Sequence, residues 1–221
     1  MLRPSQYSID KSILEEVASI VNLDQFKFTL NQPSGNFFYD PWVIKPELKN
    51  TVWEEILSSL PVTHGEARII VLKPGTSYYC HADADDRWHL NIQSNRSYLC
   101  DITNNIMYPL IRDGIWYEMD AGLLHTAANF GNTDRIQLVV RQLLKRNQLA
   151  DPITVSISVK TDTPDFRYHF DSTVSPWLNR ANKTGVIANF KFVDNRVTVD
   201  IEKDHIESLV QILPDIFEIL L

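Results

Sequence analysis

Apolar positions at the N-terminal end of the chain recur at helical spacing. Ile9, Ile13, Leu14, Val17, Ile20 and Val21 make one stripe, with Ser12 and Glu15 spaced as a capping box. Pro46 suits the first turn of a second helix, whose stripe is Leu48, Val52, Ile56, Leu57 and Leu60. The short run Phe26–Leu30 between them reads as a strand.

From Ala67 to about Leu144 the period changes from helical to alternating. β-rich runs cover Ala67–Lys73, Trp88–Gln93, Ser97–Ile102, Ile115–Met119, Leu123–Ala127 and Arg135–Leu143, punctuated by Lys73-Pro74-Gly75, Thr103-Asn104-Asn105 and Gly131-Asn132. Many short strands at this spacing predict a sandwich or barrel. After Ala150-Asp151-Pro152 the pattern predicts strands Ile153–Lys160, Gly185–Val193 and Arg196–Glu202, a hairpin turn at Asp194-Asn195, and a closing amphipathic helix from about Lys203 to Leu221. The expected fold is therefore mainly β with flanking helices over residues 1–150, followed by a small α+β annex over 151–221 that carries no chemical motif of its own.

Composition narrows the class. With 44% hydrophobic and 22% charged residues in 221, the chain is globular, and a net charge of −7 gives no general attraction to nucleic acid or anionic lipid. Two cysteines, Cys80 and Cys100, are too few for a disulfide scaffold or a thiolate zinc cluster. No apolar run reaches signal-peptide or membrane-span length. The expectation is a reducing, cytoplasmic location, with neither nucleic acid nor membrane as partner.

His81-Ala82-Asp83 is an H-x-D, which in an extended segment sets an imidazole and a carboxylate on one face. The motif alone is weak: about half an H-x-D per chain is expected by chance at this composition, and His169-Phe170-Asp171 is a second one. Companions decide between them. His125 follows His81 by 44 residues and Arg135 follows His125 by ten, with the turn Asn129-Phe130-Gly131-Asn132 between. Antiparallel strands joined there bring a third metal ligand near a guanidinium able to grip a carboxylate bidentately. The second motif has no such companions, because position 215 is Asp and no Arg or Lys follows His205, so it reads as a surface turn. In Arg87-Trp88-His89-Leu90-Asn91, period two sends Arg87, His89 and Asn91 to one face and the bulky apolar residues to the other. This suits a wet barrel interior backed by a dry sheet. Asp85 and Asp86 read as solvated loop charges. Two His and one carboxylate with open positions form the facial triad of non-haem Fe(II) oxygenases.

These elements, His81-x-Asp83, Arg87-x-His89, His125 and Arg135 ten residues on, resemble the Fe(II)/2-oxoglutarate dioxygenase superfamily, in particular its aspartyl/asparaginyl β-hydroxylase-like branch, to which some free-proline hydroxylases are also similar. The likeness covers about residues 65–145. It implies a double-stranded β-helix (jelly roll), Fe(II) held by His81, Asp83 and His125, and the distal carboxylate of 2-oxoglutarate gripped by Arg135. Arg87 and His89 would then help to bind the co-substrate. The implied reaction consumes O2 and 2-oxoglutarate, releases succinate and CO2, and hydroxylates an amino-acid side chain, either free or within a peptide. Vertebrate-type members of that branch lack the carboxylate after the first His, whereas Asp83 is present here, which weakens any transfer of their protein-peptide substrates.

Two other functions remain open on sequence alone. One is a cupin-like metalloenzyme with a different metal and reaction, although a cupin usually offers two closely spaced His before a Glu. The other is a non-catalytic module that holds a dicarboxylate. For Arg135 itself the bland alternative is a strand-end ion pair with Asp134 or Asp113. Aromatics such as Tyr78, Tyr79, Trp88, Trp116 and Tyr117 line a pocket or simply pack.

Overall fold

Alternation along the strands builds the larger part of the molecule. The computed structural model describes residues 1–159, 169–193, 196–213 and 217–220. These divide into two compact units, Met1–Cys80 with Asp85–Leu143, and His81–Ala84 with Leu144–Leu221.

The first unit opens with β1 (Leu2–Ser8), α1 (Lys11–Ile20), β2 (Lys27–Thr29), the small hairpin β3 (Asn31–Pro33) and β4 (Trp42–Ile44), and α2 (Val52–Ser58). Eight strands follow: β5 (Ala67–Leu72), β6 (Thr76–Ser77), β7 (Arg87–Gln93), β8 (Ser97–Asp101), β9 (Ile106–Pro109), β10 (Ile115–Met119), β11 (His125–Asn129) and β12 (Arg135–Arg141). They form an antiparallel sheet of order β1-β10-β7-β12-β5-β2 and another of order β6-β11-β8-β9. Within the run β5 to β12 the chain alternates between the two sheets, crossing at every connection except β8 to β9. That winding is the jelly roll.

Each face of the larger sheet follows from its sequence. Ala67, Ile69 and Val71 of β5, Trp88, Leu90 and Ile92 of β7, and Ile136, Leu138 and Val140 of β12 share one core with Leu14 and Val17 of α1 and Trp53, Ile56 and Leu57 of α2. Burying each such side chain contributes roughly 1.5–3 kcal/mol. The alternate residues, Arg87, His89 and Asn91 of β7 and Arg135, Gln137 and Arg141 of β12, are buried as well but on the opposite face, so polar groups occupy the interior between the sheets.

Local chemistry moved several boundaries. Asp10, not Ser12, caps α1, its carboxylate accepting from the Ser12 main-chain N–H at 2.8 Å. The residues before it form β1, paired with β10. The expected second helix splits into a 3-10 turn at Pro46–Leu48 and α2, because Thr51 caps a fresh start by accepting from the Trp53 N–H. Strands β6 and β9 had no apolar alternation to announce them.

The second unit carries β13 (Pro152–Val159), α3 (Ser175–Thr184), β14 (Ile187–Val193), β15 (Arg196–Glu202), α4 (Ile206–Ile212) and β16 (Phe217–Leu220), with sheet order β14-β15-β13-β16. Gly185 ends α3 in the left-handed region at φ 84°, which glycine adopts without a side-chain clash. The closing segment is a short helix plus a strand rather than one helix, since Ile and Leu spacing there satisfies both periods. The expected turn at Asp194-Asn195 lies outside the described residues. Among the described residues no helix is long and apolar enough to cross a membrane.

Candidate metal centre

His125 opens β11, where pairing with Asp101 of β8 fixes its main chain and leaves the side chain 5% exposed. Its Nδ1 lies 2.7 Å from the carbonyl oxygen of Leu123. A carbonyl only accepts, so Nδ1 carries the proton and Nε2 keeps the lone pair that a metal needs. The residues that flank His81 and Asp83 in sequence are each tied within the first unit. On one side the Tyr78 N–H donates to Ala127 and the Thr126 hydroxyl to the Tyr78 carbonyl, at 3.0 and 2.7 Å. On the other, Asp85 is tied to Arg141. Ligand atoms of His81, Asp83 and His125 all lie within 4.8 Å of one another.

The turn after β11 returns the chain to the larger sheet. Asn129 accepts from the Gly131 N–H at 3.0 Å and donates to the Leu72 and Thr133 carbonyls at 2.9 Å each. A Cβ at Gly131 would strike the Asn95 carbonyl, so only glycine fits there. The turn delivers Arg135 to the start of β12.

Arg135 is 2% exposed, and one terminal nitrogen, Nη2, donates to Gln137 Oε1. Its Nε and Nη1 have no hydrogen-bond partner, and among the described residues no carboxylate pairs with it. The two expected partners are engaged elsewhere: Asp134 with Lys73 at 3.1 Å, and Asp113 with the Tyr117 hydroxyl at 2.6 Å. Burial pulls the guanidinium pKa down, opposed only by the Tyr78 hydroxyl. The Tyr78 ring lies 5.8 Å from the guanidinium, and its hydroxyl is likewise buried without a partner. Burial raises the phenol pKa while Arg135 and Arg68 pull it back.

Arg87 and His89 both stand on the interior face of β7, with Asn91 beyond them bonded to Gln137 at 2.8 Å. Arg87 forms an ion pair with Asp85. Asp85 is not the solvated charge expected from the acidic run, because at 3% exposure it also accepts from Arg141 Nε at 2.5 Å. Arg141 lies under Phe37 and Phe38, 4.1 and 4.6 Å from the ring centres. The second H-x-D is no surface turn either: Phe170 is buried, and His169 and Asp171 are half-buried in and beside a helical turn.

Sequence reasoning singled out the three candidate ligands, Arg135, Arg87 and His89, and missed Arg141 and Arg68 together with the burial of Asp85. Arg68 was findable, since it alternates with Ala67 and Ile69 on β5 just as Arg87 alternates with Trp88 on β7.

The chain is thus a jelly-roll protein with a candidate His-Asp-His metal centre. No protein-family model matches it, and no curated relative does. Among solved structures it is similar to a cupin domain from Bordetella pertussis Tohama I, at 17% identity and TM-score 0.31 over 34% of this chain and 78% of that one. It is also similar to the capsular polysaccharide assembling protein CapF of Staphylococcus aureus, at 20% identity and TM-score 0.30 over 38% of this chain. The matched part spans about a quarter of CapF, 26% of its length.

Proposed function

We propose that this chain is an Fe(II)- and 2-oxoglutarate-dependent dioxygenase that hydroxylates an amino-acid side chain, free or within a peptide. The observation that carries the reading is Arg135, a buried guanidinium with two nitrogens unpartnered and no carboxylate beside it among the described residues. Holding an uncompensated charge out of water costs several kcal/mol, which a ligand carboxylate offsets. Arg135 stands at the start of the strand that follows the one opened by His125, and in this reading it would hold the far carboxylate of a dicarboxylate whose other end is on the metal.

The donor set fits Fe(II): two imidazoles and a carboxylate, with three coordination positions left open. When bound, iron with 2-oxoglutarate and O2 supplies the oxidation that gives succinate, CO2 and a hydroxylated product. The chain's own residues do the holding. His81, Asp83 and His125 bind the cation, and the Leu123 carbonyl keeps the His125 ring in the tautomer that offers Nε2. Arg135 binds the distal carboxylate, with the Tyr78 hydroxyl beside it. Arg87, oriented by Asp85, and His89 face the interior between the sheets and would help to bind the co-substrate.

Succinate release measured with Fe(II), 2-oxoglutarate and O2 across a panel of amino acids and short peptides tests the reading. One or more of them should stimulate release, and His125→Ala should abolish it while the variant stays folded. Turnover only with another cation and no 2-oxo acid would instead favour a cupin-like metalloenzyme. Tight 2-oxoglutarate binding without turnover would favour a dicarboxylate-binding module.

A further inference from the structure

The two His-x-Asp motifs of this chain meet. The main-chain N–H of Ala82, the residue between His81 and Asp83, donates to the carbonyl oxygen of Asp171 at 2.9 Å, and both residues belong to the second compact unit. A carbonyl inside a helix is ordinarily consumed by an N–H four residues on. The sequence around Asp171 explains why this one reaches elsewhere. Phe170–Val174 form a π turn that runs directly into α3, and the Ser175 N–H closes that turn on the Phe170 carbonyl, five residues back. The next bond of the same kind would join residue 176 to the Asp171 carbonyl. Residue 176 is Pro176, in the first turn of α3, and proline has no N–H to give. The Asp171 carbonyl is therefore released from the helix, and the Ala82 N–H takes it.

We propose that this π turn is the positioning element of the metal-ligand segment, with Pro176 the residue that keeps the Asp171 carbonyl committed to Ala82. The inference rests on the reading of His81 and Asp83 as ligands. The bonded N–H belongs to the peptide joining His81 to Ala82, so fixing that peptide plane fixes the main chain on both sides of it. The direction in which His81 leaves the chain, and the path onward to Asp83, are then set together. Buried Phe170 and Val174, 9% and 0% exposed, hold the turn in place. π turns of this sort concentrate at functional sites, where the displaced carbonyl is put to use.

Pro176→Ala tests the proposal by restoring the missing N–H and offering the Asp171 carbonyl a donor within its own helix. Pro176→Ser does the same with a different side chain. Mn(II) serves as the probe, followed by its electron paramagnetic resonance signal, alongside hydrogen exchange at the Ala82 amide and the melting temperature of the metal-free protein. Both variants should lose exchange protection at Ala82 and bind Mn(II) about 10–100-fold more weakly, the scale on which supporting contacts tune a metal site, with the metal-free melting temperature unchanged. Mn(II) affinity within about twofold of the parent, or an Ala82 amide still protected in both variants, overturns the proposal while leaving the metal centre standing. A parent protein that binds no Mn(II) removes the metal centre, and the proposal with it.

Discussion

Arg135 and Arg141 begin and end β12, stand on the same face of the sheet and are 2% and 5% exposed. Their surroundings differ. At the Arg141 end the charge is answered within the chain, by Asp85 at 2.5 Å and by the rings of Phe37 and Phe38. Asp85 also takes the ion pair from Arg87, which lies directly across from Arg141 in the neighbouring strand and would otherwise repel it. At the Arg135 end a side-chain amide and an unpartnered phenol are the polar neighbours. One arginine has its counter-charge built into the fold, and the other has none among the described residues; in the proposed function an anion supplies it. Burial alone does not separate the two roles, but the presence or absence of a counter-charge does.

Substitutions that treat the two ends alike break this comparison, and substitutions that separate them sharpen it. The largest effect is expected from Arg135→Met. It should weaken 2-oxoglutarate binding by several hundredfold or more, from about 3–5 kcal/mol for one side of a buried ion pair, as read by calorimetric titration. The metal-free protein should be no less stable to urea than the parent, because the variant removes a charge that has no partner there. At the other end Asp85→Ala leaves two buried guanidiniums facing each other, and urea unfolding should show a loss of about 3–5 kcal/mol. Equal stability losses for the two variants would erase the distinction.

A smaller effect is expected from Tyr78→Phe, which removes only the hydroxyl beside Arg135. Co-substrate affinity should fall by roughly 5–10-fold, one hydrogen bond's worth, with stability unchanged or slightly raised. Smallest is a pH effect tied to the Arg141 end. Burial pushes the Glu66 carboxyl up, but Arg68, Lys27 and Arg141 together bring it below its ordinary value of 4.5. A carboxylate depressed in the folded state stabilises the protein above its unfolded pKa, and that contribution is lost as pH falls through the folded value. Urea unfolding between pH 6 and pH 3, about the range that a shifted carboxylate spans, should therefore steepen in acid for the parent and less so for Glu66→Gln.

The strand β7 was legible in the sequence because its two faces differ in kind, Arg87, His89 and Asn91 against Trp88, Leu90 and Ile92. The spacing from His81 to His125 to Arg135 was legible because a turn rich in Asn and Gly lies between the last two. Short strands were not: β6 is Thr76–Ser77 alone, and β9 is defined by pairing with β8 rather than by its own pattern. Helix α3 carries Pro176 and two asparagines, Asn179 and Asn182, which propensity argues against, yet tertiary contacts bury both asparagines. Asp85 sits in an acidic run that reads as solvent-facing. Arg87, two residues on, offers a local partner, but only with Arg141 arriving from β12 does Asp85 become a buried counter-ion between two guanidiniums, and nothing local announces Arg141.

The most direct measurement is an anaerobic titration of 2-oxoglutarate into the Fe(II)-loaded protein, followed by visible absorption, for the parent and for Arg135→Met. The predicted result is a weak charge-transfer band that saturates in the parent and that reaches the same height in Arg135→Met only at several hundredfold higher 2-oxoglutarate. A parent that develops no band, or two proteins that saturate at the same concentration, would contradict the assignment of Arg135 as the anchor of a metal-chelating dicarboxylate.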